Sequence, residues 1–266
     1  MLNCIVCHTP LKPYFEKDFK GLSGLGTVPY DRCGGCGFVL CRTHAEMSDR
    51  EWVDLNYRCH ADYQGQDTPP DRDPRWLERI HNEAVSVHGL WQAGVLPREL
   101  PWVDFGCGDG KLPDQLGRRG VPVLKFDRYM GDASYLTEEQ LAATRYDVVL
   151  NTAVFEHLRR RPQLDEIAGL VAPGGVFALH VLVREEIPPD PDWFYLVPAH
   201  CSFFTNRSMQ ILFDQWGFRS SLYHVESRLW FWFRQEPEPL QRFLARPERF
   251  VRGEICYKKG FADYWK

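Results

Sequence analysis

The chain has no net positive charge and no long apolar run. Its formal net charge is −4 over 266 residues, whereas a protein that holds a phosphate backbone is usually basic, at least locally. The charge argues against a nucleic-acid partner, and the basic triplet Arg159–Arg161 fits a solvated helix end. No stretch approaches the roughly 18 apolar residues that cross a bilayer, and the N-terminus has no basic segment followed by an apolar one. We expect neither a membrane partner nor a secretion signal.

The sequence also lacks internal repeats and low-complexity tracts. Its length and its 44% hydrophobic content allow one α/β domain with a small addition. In the absence of a secretion signal, its nine cysteines indicate a reducing cytoplasm, where closely spaced pairs usually bind metal rather than form disulfides. We therefore expect a cytoplasmic protein. No pattern in the sequence specifies the number of subunits.

Composition divides the chain into three regions, residues 1–65, 66–234 and 235–266. The first region contains six of the nine cysteines and has no long helical pattern. A polar link rich in proline and aspartate, Gln64–Arg75, follows it. The third region has the pattern of an amphipathic, partly loose extension. We expect a small cysteine-rich module, a main domain and an extension.

The central region alternates strand and helix patterns. Strands separated by helices imply a parallel sheet with right-handed crossovers, and hence an α/β fold. The predicted strands are Trp102–Phe105, Val121–Phe126, Tyr146–Leu150, Val176–Val183, Phe218–Glu226 and Leu229–Phe233. The predicted helices are a segment starting at Trp76, Pro113–Arg119, Arg161–Val171 and Ser208–Trp216, with a turn at Pro173–Gly175.

Three alternating glycines follow the first strand of the central region. Residues 103–112 read Val-Asp-Phe-Gly-Cys-Gly-Asp-Gly-Lys-Leu and lead into a helical segment. Glycine lets the backbone turn sharply and approach a ligand, and the N–H groups of the following helix face a polar or anionic ligand edge. A dinucleotide site has the spacing G-x-G-x-x-G. Here Gly106, Gly108 and Gly110 alternate, so the third glycine comes one residue early, which counts against an NAD-binding domain.

An acidic residue ends the second strand of the central region. Asp127 lies 21 residues after Gly106. A carboxylate at this place can accept hydrogen bonds from both ribose hydroxyls of a nucleoside, as in Rossmann folds. Carboxylates at strand ends also serve as helix caps, so the residue alone leaves both roles open.

Two cysteine pairs in the first region have the spacing of zinc knuckles. Cys4 and Cys7 form one C-x2-C pair, and Cys33 and Cys36 form the other, with glycines in the second turn. Two thiolates from each tight turn can surround a tetrahedral Zn²⁺ with no open position, which predicts a structural role. Redox-active dithiols are the alternative, but they usually lie on a strand-to-helix turn that is not evident here. The nearby Cys41-x2-His44 pair is either a bystander or an alternate set of ligands.

The glycine turn resembles motif I of class I S-adenosylmethionine (SAM) methyltransferases. Two later segments, residues 146–158 and 171–179, resemble motif IV and the Pro-Gly-Gly turn of the same superfamily, in the same order. The resemblance implies a Rossmann-like sheet, SAM as cofactor, the ribose on Asp127, and Asn151 near the methyl donor. The residues that it assigns to the turn around the amino-acid end of SAM are Asp104, Gly106, Cys107, Gly108 and Gly110.

The whole layout from about residue 4 to 233 resembles a bacterial group of class I methyltransferases with an N-terminal zinc knuckle. This group includes deoxysugar C-methyltransferases that act on nucleotide-linked keto sugars. Supporting features are the Cys-Gly-Gly-Cys-Gly-Phe-Val run at residues 33–39 and the His-Cys-Ser-Phe-Phe-Thr run at residues 200–205. Where those enzymes have a Tyr-His-Glu-His-like run, residues 197–200 retain only the final His200. The resemblance implies C- or O-methylation of a small-molecule acceptor, a sugar or a secondary metabolite.

Transfer of a methyl group to an OH or C–H acceptor needs in-line positioning and a base. His200 and His157 are candidates for this base because they have a suitable intrinsic pKa. Glu156, beside His157, could also act as the base, or it could support the cofactor loop. For each of the three residues, a purely structural role is the alternative. Five aromatic residues could wall the acceptor pocket or form a core-facing lid: Trp193, Phe194, Tyr195, Phe203 and Phe204.

Two other functions compete with the small-molecule methyltransferase. One is an RNA methyltransferase whose zinc module grips RNA. The acidic balance counts against it, as does the Asn-Thr-Ala-Val sequence at residues 151–154, where amino-methylating enzymes have an Asn-Pro-Pro-Tyr-type motif. The other is a non-catalytic scaffold with a SAM fold, and measured SAM affinity discriminates it.

Overall fold

The computed structural model describes residues 2–64 and 74–263, with side chains for residues 2–59 and 76–263. Residues 65–73 of the predicted proline- and aspartate-rich link lie outside the described residues. The strands are β1 (Leu11–Asp18), β2 (Thr27–Cys33), β3 (Val39–Cys41), β4 (Trp102–Phe105), β5 (Leu124–Phe126), β6 (Tyr146–Thr152), β7 (Val171–His180), β8 (Val183–Arg184), β9 (Ser202–Thr205), β10 (Ser220–His224), β11 (Leu229–Phe233) and β12 (Ile255–Lys258).

The helices are α1 (Arg42–Glu46), α2 (Asp49–Gln64), α3 (Pro74–Gln92), α4 (Lys111–Gly117), α5 (Glu138–Ala142), α6 (Arg161–Gly169), α7 (Asn206–Gln215) and α8 (Pro239–Leu244). Short 3₁₀ turns cover Leu22–Gly24, Phe155–His157 and Pro247–Arg249. Among the described residues, no helix combines the length and the apolar character that a bilayer crossing requires.

A seven-stranded sheet forms the centre of the fold, in the order β12-β10-β11-β7-β6-β4-β5. The strands β5, β4, β6 and β7 are parallel, and β11, β10 and β12 extend the sheet in antiparallel fashion. The inner parallel strands β4 and β6 are buried on both faces, as expected when helices cover both sides of a sheet, whereas Leu124 on the edge strand β5 is exposed. The predicted α/β architecture with a parallel, Rossmann-like sheet is confirmed.

Alternate residues of the central strands pack into two separate cores. Val149 on β6 belongs to the core that includes Ile167 of α6 and Leu212 of α7. Its neighbour Val148 belongs to the core that includes Val87 of α3. Because successive side chains of a strand point to opposite faces, helices α6 and α7 cover one face of the sheet and α3 covers the other.

A second sheet joins the N-terminal region to the chain that follows β7. Its order is β1-β2-β3-β9-β8, and β3 pairs with β9 through Val39 with Phe203 and Leu40 with Ser202. The N-terminal region therefore shares a sheet with the segment around residues 183–205. This segment contains His200.

Two expectations about local structure are wrong. We expected no long helix in the first region, but it contains α2. The sequence shows no clear helical pattern there because only Trp52, Leu55 and Cys59 form the buried apolar side of this helix. The Pro173–Gly175 segment is no turn between elements: β6–β7 pairing passes from Tyr146–Val171 to Val148–Val176, so the extra residues form a bulge within β7.

The C-terminal extension contains regular secondary structure, helix α8 and strand β12. Strand β12 pairs with β10 and covers an otherwise open edge of the large sheet. Beyond it, Phe261 and Ala262 are buried in the same core as Trp232. Where a third strand would follow β5, the structure has only a single bridge between Lys125 and Tyr135.

Candidate functional site

A cavity of about 550 Å³ lies at the carboxyl ends of β4, β5 and β6. In open α/β sheets this is where ligands bind. The segments that follow the three strands form one side, and helices α2 and α3 form the other. The lining residues are Trp52, Val53, Asn56, Tyr57, Trp76, Arg79, Ile80, Asp104–Asp109, Lys111, Leu112, Asp127–Met130, Thr152–Val154, His157, Leu158 and Gln163.

The glycine turn after β4 needs glycine for two different reasons. Gly106, Gly108 and Gly110 have φ values of +76°, +55° and +76°, in the left-handed region that favours glycine. A Cβ on Gly106 would lie 2.5 Å from the Val154 side chain, so this position allows the β4 and β6 ends to approach each other. A Cβ on Gly108 would meet no atom within 4 Å, so this position opens the backbone to the cavity. Gly110 is not among the lining residues.

Asp127 is oriented by the backbone around it. Its Oδ2 accepts a hydrogen bond from the Gly108 N–H at 3.0 Å, and its Oδ1 accepts from the N–H groups of Tyr129 and Met130 at 2.9 and 3.0 Å. The carboxylate lines the cavity. Since a carboxylate has about four acceptor sites and three of them are occupied, it can still accept one hydroxyl of a ribose.

Two buried acids lie close to the glycine turn. Asp104 is 1% exposed and Glu83 of α3 is 0% exposed. Burial and the charges of Glu83 and Asp127 raise the pKa of Asp104 well above its usual range, and burial raises the pKa of Glu83 to about 7 despite the nearby Arg79. Within the described part of the chain, Asp104 Oδ1 and Glu83 Oε2 have no hydrogen-bond partner. A buried acceptor without a partner is costly, so this end of the cavity favours a cationic or donor group.

Arg79 lies at the cavity, although it was not among the predicted site residues. It lines the cavity from α3, with its Nη1 3.3 Å from Glu83 Oε1 and 3.2 Å from His180 Nδ1. Burial and the positive charges of Arg79 and Arg228 hold the pKa of His180 well below its usual range, so His180 is neutral and accepts from Arg79. The signal was an Arg–Glu pair at i and i+4 inside the apolar stripe of a helix.

Two other predicted cofactor residues differ in their placement. Cys107 lines the cavity, and burial together with the charges of Asp104 and Asp127 raises its pKa, so it is a thiol. Asn151 is fully buried and does not line the cavity; its Nδ2 donates to the Phe105 carbonyl at 2.9 Å. The structure thus places Asn151 behind the cavity, where it joins the ends of β6 and β4.

Glu156, His157 and His200, the three predicted catalytic residues, converge and are called here the acid–histidine cluster. Their ligand atoms all lie within 4.8 Å of one another. The two imidazole rings meet edge to face with centroids 4.9 Å apart. His157 lines the cavity. Glu156 and His200 lie next to His157.

Backbone and side-chain hydrogen bonds orient each member of the acid–histidine cluster. His157 Nδ1 lies 2.9 Å from the Ala199 carbonyl, and His200 Nδ1 lies 2.8 Å from the Tyr195 carbonyl. Glu156 is 2% exposed, and its Oε1 accepts from the Tyr195 hydroxyl at 2.7 Å. The arrangement is preorganised, as acid–base or ligand groups require.

The Cys41–His44 pair supports the segment that contains His200. The Cys41 N–H donates to the Cys201 carbonyl at 2.8 Å, and His44 Nε2 lies 2.7 Å from the Pro198 carbonyl. The Cys41 thiol and His44 Nδ1 contact each other, and both residues are fully buried. Burial lowers the pKa of His44 to about 4, so the pair is neutral and forms a unit separate from the other cysteines.

Cys4, Cys7, Cys33 and Cys36 come together as a second group, called here the cysteine cluster. Their sulfur atoms lie 3.6 Å apart for Cys4–Cys36, 3.3 Å for Cys7–Cys33 and 3.6 Å for Cys7–Cys36. Four thiolates around Zn²⁺ at about 2.3 Å have neighbouring sulfurs about 3.8 Å apart, so the four residues fit the metal. The hydrogen bond from the Cys36 thiol lowers the pKa of Cys4 to about 6, which favours a thiolate. No member of the cluster lines the cavity.

The predicted aromatic wall is mostly core. Phe203, Phe204 and Trp193 are buried, and Phe194 is 73% exposed. Only Tyr195 reaches the acid–histidine cluster, through its hydroxyl to Glu156 and its ring against His200. The other buried rings, those of Trp193, Phe203 and Phe204, pack in the core and do not line the cavity.

Comparison with known proteins gives a family match and more distant likenesses. A family model described as a methyltransferase domain matches residues 72–221. A ubiquinone biosynthesis O-methyltransferase from Parvibaculum lavamentivorans is 30% identical over 132 residues, which are 42% of this chain and 52% of that protein. The chain thus spans about half the length of the curated relative that it matches.

Solved structures resemble the chain at low identity. Magnesium protoporphyrin IX methyltransferase from Synechocystis PCC 6803 with bound SAH is 16% identical, with a TM-score of 0.42 over 70% of this chain and 97% of that chain. An O-methyltransferase family protein from Burkholderia thailandensis is 17% identical, with a TM-score of 0.44 over 69% of this chain and 63% of that chain.

Proposed function

The chain belongs to the methyltransferase-domain family of class I SAM-dependent methyltransferases, and from this premise we propose that it methylates an oxygen or carbon atom of a small-molecule acceptor, a sugar or a secondary metabolite. The observation that carries the proposal is one cavity with two chemically different ends. The donor end consists of the glycine turn with Asp127, Asp104, Glu83 and Arg79. The acceptor end is the acid–histidine cluster.

The donor end offers a partner for each polar part of SAM. Asp127 would accept a ribose hydroxyl, since its carboxylate is fixed by three backbone N–H groups, has one acceptor site left and lines the cavity. The buried, partnerless oxygen of Asp104, which lines the cavity, suits the ammonium group, with the buried Glu83 as a second acid nearby, and the guanidinium of Arg79 suits the carboxylate. The turn at Gly108 leaves the backbone open to the ligand.

The acceptor end would hold the nucleophile and handle its proton. Bound SAM supplies an electrophilic methyl group on a sulfonium, which leaves as a neutral thioether when the acceptor's electron pair attacks the methyl carbon. His200 would act as the base that takes the proton of an acceptor hydroxyl or C–H, or as its hydrogen-bond partner, with His157 as second candidate. Glu156, held by Tyr195, stabilises the positive charge that a protonated imidazole acquires.

The cysteine cluster would hold one structural Zn²⁺ through Cys4, Cys7, Cys33 and Cys36. The sulfur distances and the burial of Cys4, Cys33 and Cys36 support this assignment. Four protein thiolates leave no position for a substrate, so the metal has no direct part in the reaction.

The proposed function is tested with methyl-labelled SAM. The full chain is incubated with three acceptor panels: nucleotide-linked keto sugars, hydroxylated aromatic metabolites and RNA. Calorimetry of SAM binding is run on the same preparation. We expect saturable SAM binding and transfer of label to a member of one of the first two panels.

Transfer to RNA alone would replace the proposal with the RNA methyltransferase. Tight SAM binding without transfer to any panel would favour the scaffold, and no SAM binding would overturn the donor-end assignment.

A further inference from the structure

We propose that Glu156, His157 and His200 bind one divalent transition-metal cation, distinct from the metal of the cysteine cluster, and that an oxygen of the acceptor completes its coordination. The acceptor part of this inference rests on the proposed function. The metal part rests on the geometry of the acid–histidine cluster alone. Two imidazoles and one carboxylate are a ligand set used for Zn²⁺, Mn²⁺ and Fe²⁺.

The three ligand atoms are already close to a coordination geometry. They lie within 4.8 Å of one another. Ligands at about 2.0–2.2 Å from a common cation lie about 3–4 Å apart, so small side-chain rotations bring the three onto one ion. Glu156 and His157 follow strand β6. His200 lies in the stretch directly before strand β9.

Hydrogen bonds to the backbone determine which nitrogen of each ring can bind a cation. The Nδ1 atoms of His157 and His200 each face a carbonyl oxygen, which can only accept. In the neutral rings the proton is therefore on Nδ1, and the lone pair is on Nε2. A ring N–H held by a backbone carbonyl is the usual support of a metal-binding histidine.

Glu156 provides the third, anionic ligand. Its carboxylate is 2% exposed, and Oε1 is held by the Tyr195 hydroxyl while Oε2 has no hydrogen-bond partner in the described part of the chain. A buried carboxylate oxygen without a partner is costly. A cation at this place removes that cost, and Tyr195 orients the ligand from behind.

Three protein ligands leave coordination positions open for an acceptor. The acid–histidine cluster adjoins the cavity at His157, so an acceptor oxygen can reach the ion from the cavity. A bound cation lowers the pKa of a coordinated hydroxyl, and the released proton passes to water. In that state His200 is a ligand, and methylation of the bound oxygen needs no side-chain base. The cation thus selects acceptors in which a hydroxyl or enol oxygen is the methylated atom.

The test uses Mn²⁺ with the full chain carrying one equivalent of zinc, because excess Zn²⁺ would bind the acid–histidine cluster more tightly than Mn²⁺ does. Manganese prefers oxygen and nitrogen ligands and does not displace zinc from four thiolates, so the cysteine cluster does not interfere. Free Mn²⁺ is measured by electron paramagnetic resonance during a titration. We expect one bound Mn²⁺ per chain, and binding at least tenfold weaker in Glu156→Gln and in His200→Ala. In Tyr195→Phe, which removes only the support of Glu156, binding should weaken about 10- to 100-fold.

The matched control is His81→Ala, an exposed histidine on α3 outside the cavity, and it should bind Mn²⁺ like the wild type. No stoichiometric binding by the wild type, or unchanged affinity in both Glu156→Gln and Tyr195→Phe, overturns the inference. If His200→Ala loses its zinc or its helical circular dichroism, these two near-isosteric variants decide the result.

SAM calorimetry on the same samples separates the two proposals. SAM binding without Mn²⁺ binding overturns only the cation, whereas Mn²⁺ binding without SAM binding overturns only the proposed function.

Discussion

The donor end and the acceptor end of the cavity are built from different kinds of segment. The donor end is formed mainly where three neighbouring parallel strands stop, at residues 104–109, 127–130 and 152–154. The acceptor end combines Glu156 and His157 with His200, more than forty residues later in the chain. The large sheet alone places most of the donor end. The acceptor end also depends on how the chain after β7 is held.

The N-terminal region contacts the chain after β7 and fixes its position. Strand β3 pairs with β9, the Cys41 N–H donates to the Cys201 carbonyl, and His44 holds the Pro198 carbonyl. The cysteine cluster contacts the same part of the chain, since the Thr205 hydroxyl donates to the Cys36 carbonyl. We infer that damage to the N-terminal region affects the acceptor end before the donor end.

The largest expected effect belongs to the acceptor end alone. Replacing His200 with Asn removes the base or ligand nitrogen but keeps a polar side chain, and turnover should fall by about 10²- to 10⁴-fold. SAM affinity should stay within about twofold, because the hydrogen bond and ring contacts of His200 are with Tyr195 and His157 at the acceptor end. Turnover and SAM calorimetry measure the two quantities, and His88→Asn, a half-buried histidine stacked on Trp91, is the control.

Two results would change the assignment of the acceptor end. If His200→Asn keeps turnover within a few-fold while His157→Asn is inactive, the role belongs to His157. If both variants are active, the reaction needs no side-chain base or ligand and depends on positioning alone.

The donor end should show a pH dependence of stability that comes from Glu83. Burial raises its pKa from 4.5 to about 7, so the folded protein binds a proton more tightly than the unfolded chain. The corresponding stability is complete below pH 4.5 and is lost as the pH rises through about 7, with a total of about 3 kcal/mol. Glu83→Gln should remove this part of the pH dependence in denaturant titrations.

The exposed Glu139→Gln serves as control for the Glu83 variant. SAM should also reduce the pH dependence of the wild type, since its ammonium group favours the charged form of Glu83. A wild type and a Glu83→Gln variant with parallel stability curves from pH 5 to pH 8 would contradict the buried, protonated state of Glu83.

Loss of the proposed zinc should separate the two ends. Cys33→Ser removes one thiolate, and metal analysis should show that the variant no longer contains the one zinc per chain expected for the wild type. Because a displacement of 1 Å at a reacting group can cost about 10² in rate, we expect turnover to fall by about that factor while SAM affinity changes less than threefold. Cys256→Ser, on the edge strand β12, is the matched control.

A fully zinc-loaded Cys33→Ser variant would show that Cys33 is not a ligand. A zinc-free variant with unchanged turnover would show that the N-terminal region does not support the acceptor end. Equal losses of SAM affinity and turnover would indicate general unfolding instead of a selective effect.

The contrast between the two ends also explains what could be predicted from sequence. The glycine turn and Asp127 each follow a strand directly, and strand ends of a parallel sheet meet at one edge, so a local pattern was sufficient to place them. Arg79 and Glu83 were missed because they precede β4 on a helix whose apolar stripe they interrupt. The convergence of His200 with Glu156 and His157 has no local signal.

The remaining differences have similar physical causes. The return of residues 183–205 to the small sheet depends on pairing between β3 and β9, which are about 160 residues apart. Strand β12 was missed because its short, half-exposed segment becomes a strand only by covering the edge of β10. The family resemblance implied that Asn151 lies near the methyl donor, and in the structure its side chain donates to the Phe105 carbonyl.

The smallest expected effect tests whether the donor end works independently of the acceptor end. Asp127→Ala removes the carboxylate proposed to hold the ribose, and the loss of a charge-assisted hydrogen bond costs roughly 1.5–3 kcal/mol, so SAM should bind about 10- to 100-fold more weakly. The same carboxylate accepts the Gly108 N–H, so part of the loss reflects a loosened turn. Asp127→Asn, which keeps one acceptor oxygen, should therefore recover part of the affinity, and the exposed Asp132→Ala should bind like the wild type. Calorimetry with unchanged SAM affinity in Asp127→Ala would remove the ribose from this residue. At saturating SAM the variant should turn over at nearly the wild-type rate, because the acid–histidine cluster is unaltered; a deep loss there would mean that the two ends are coupled.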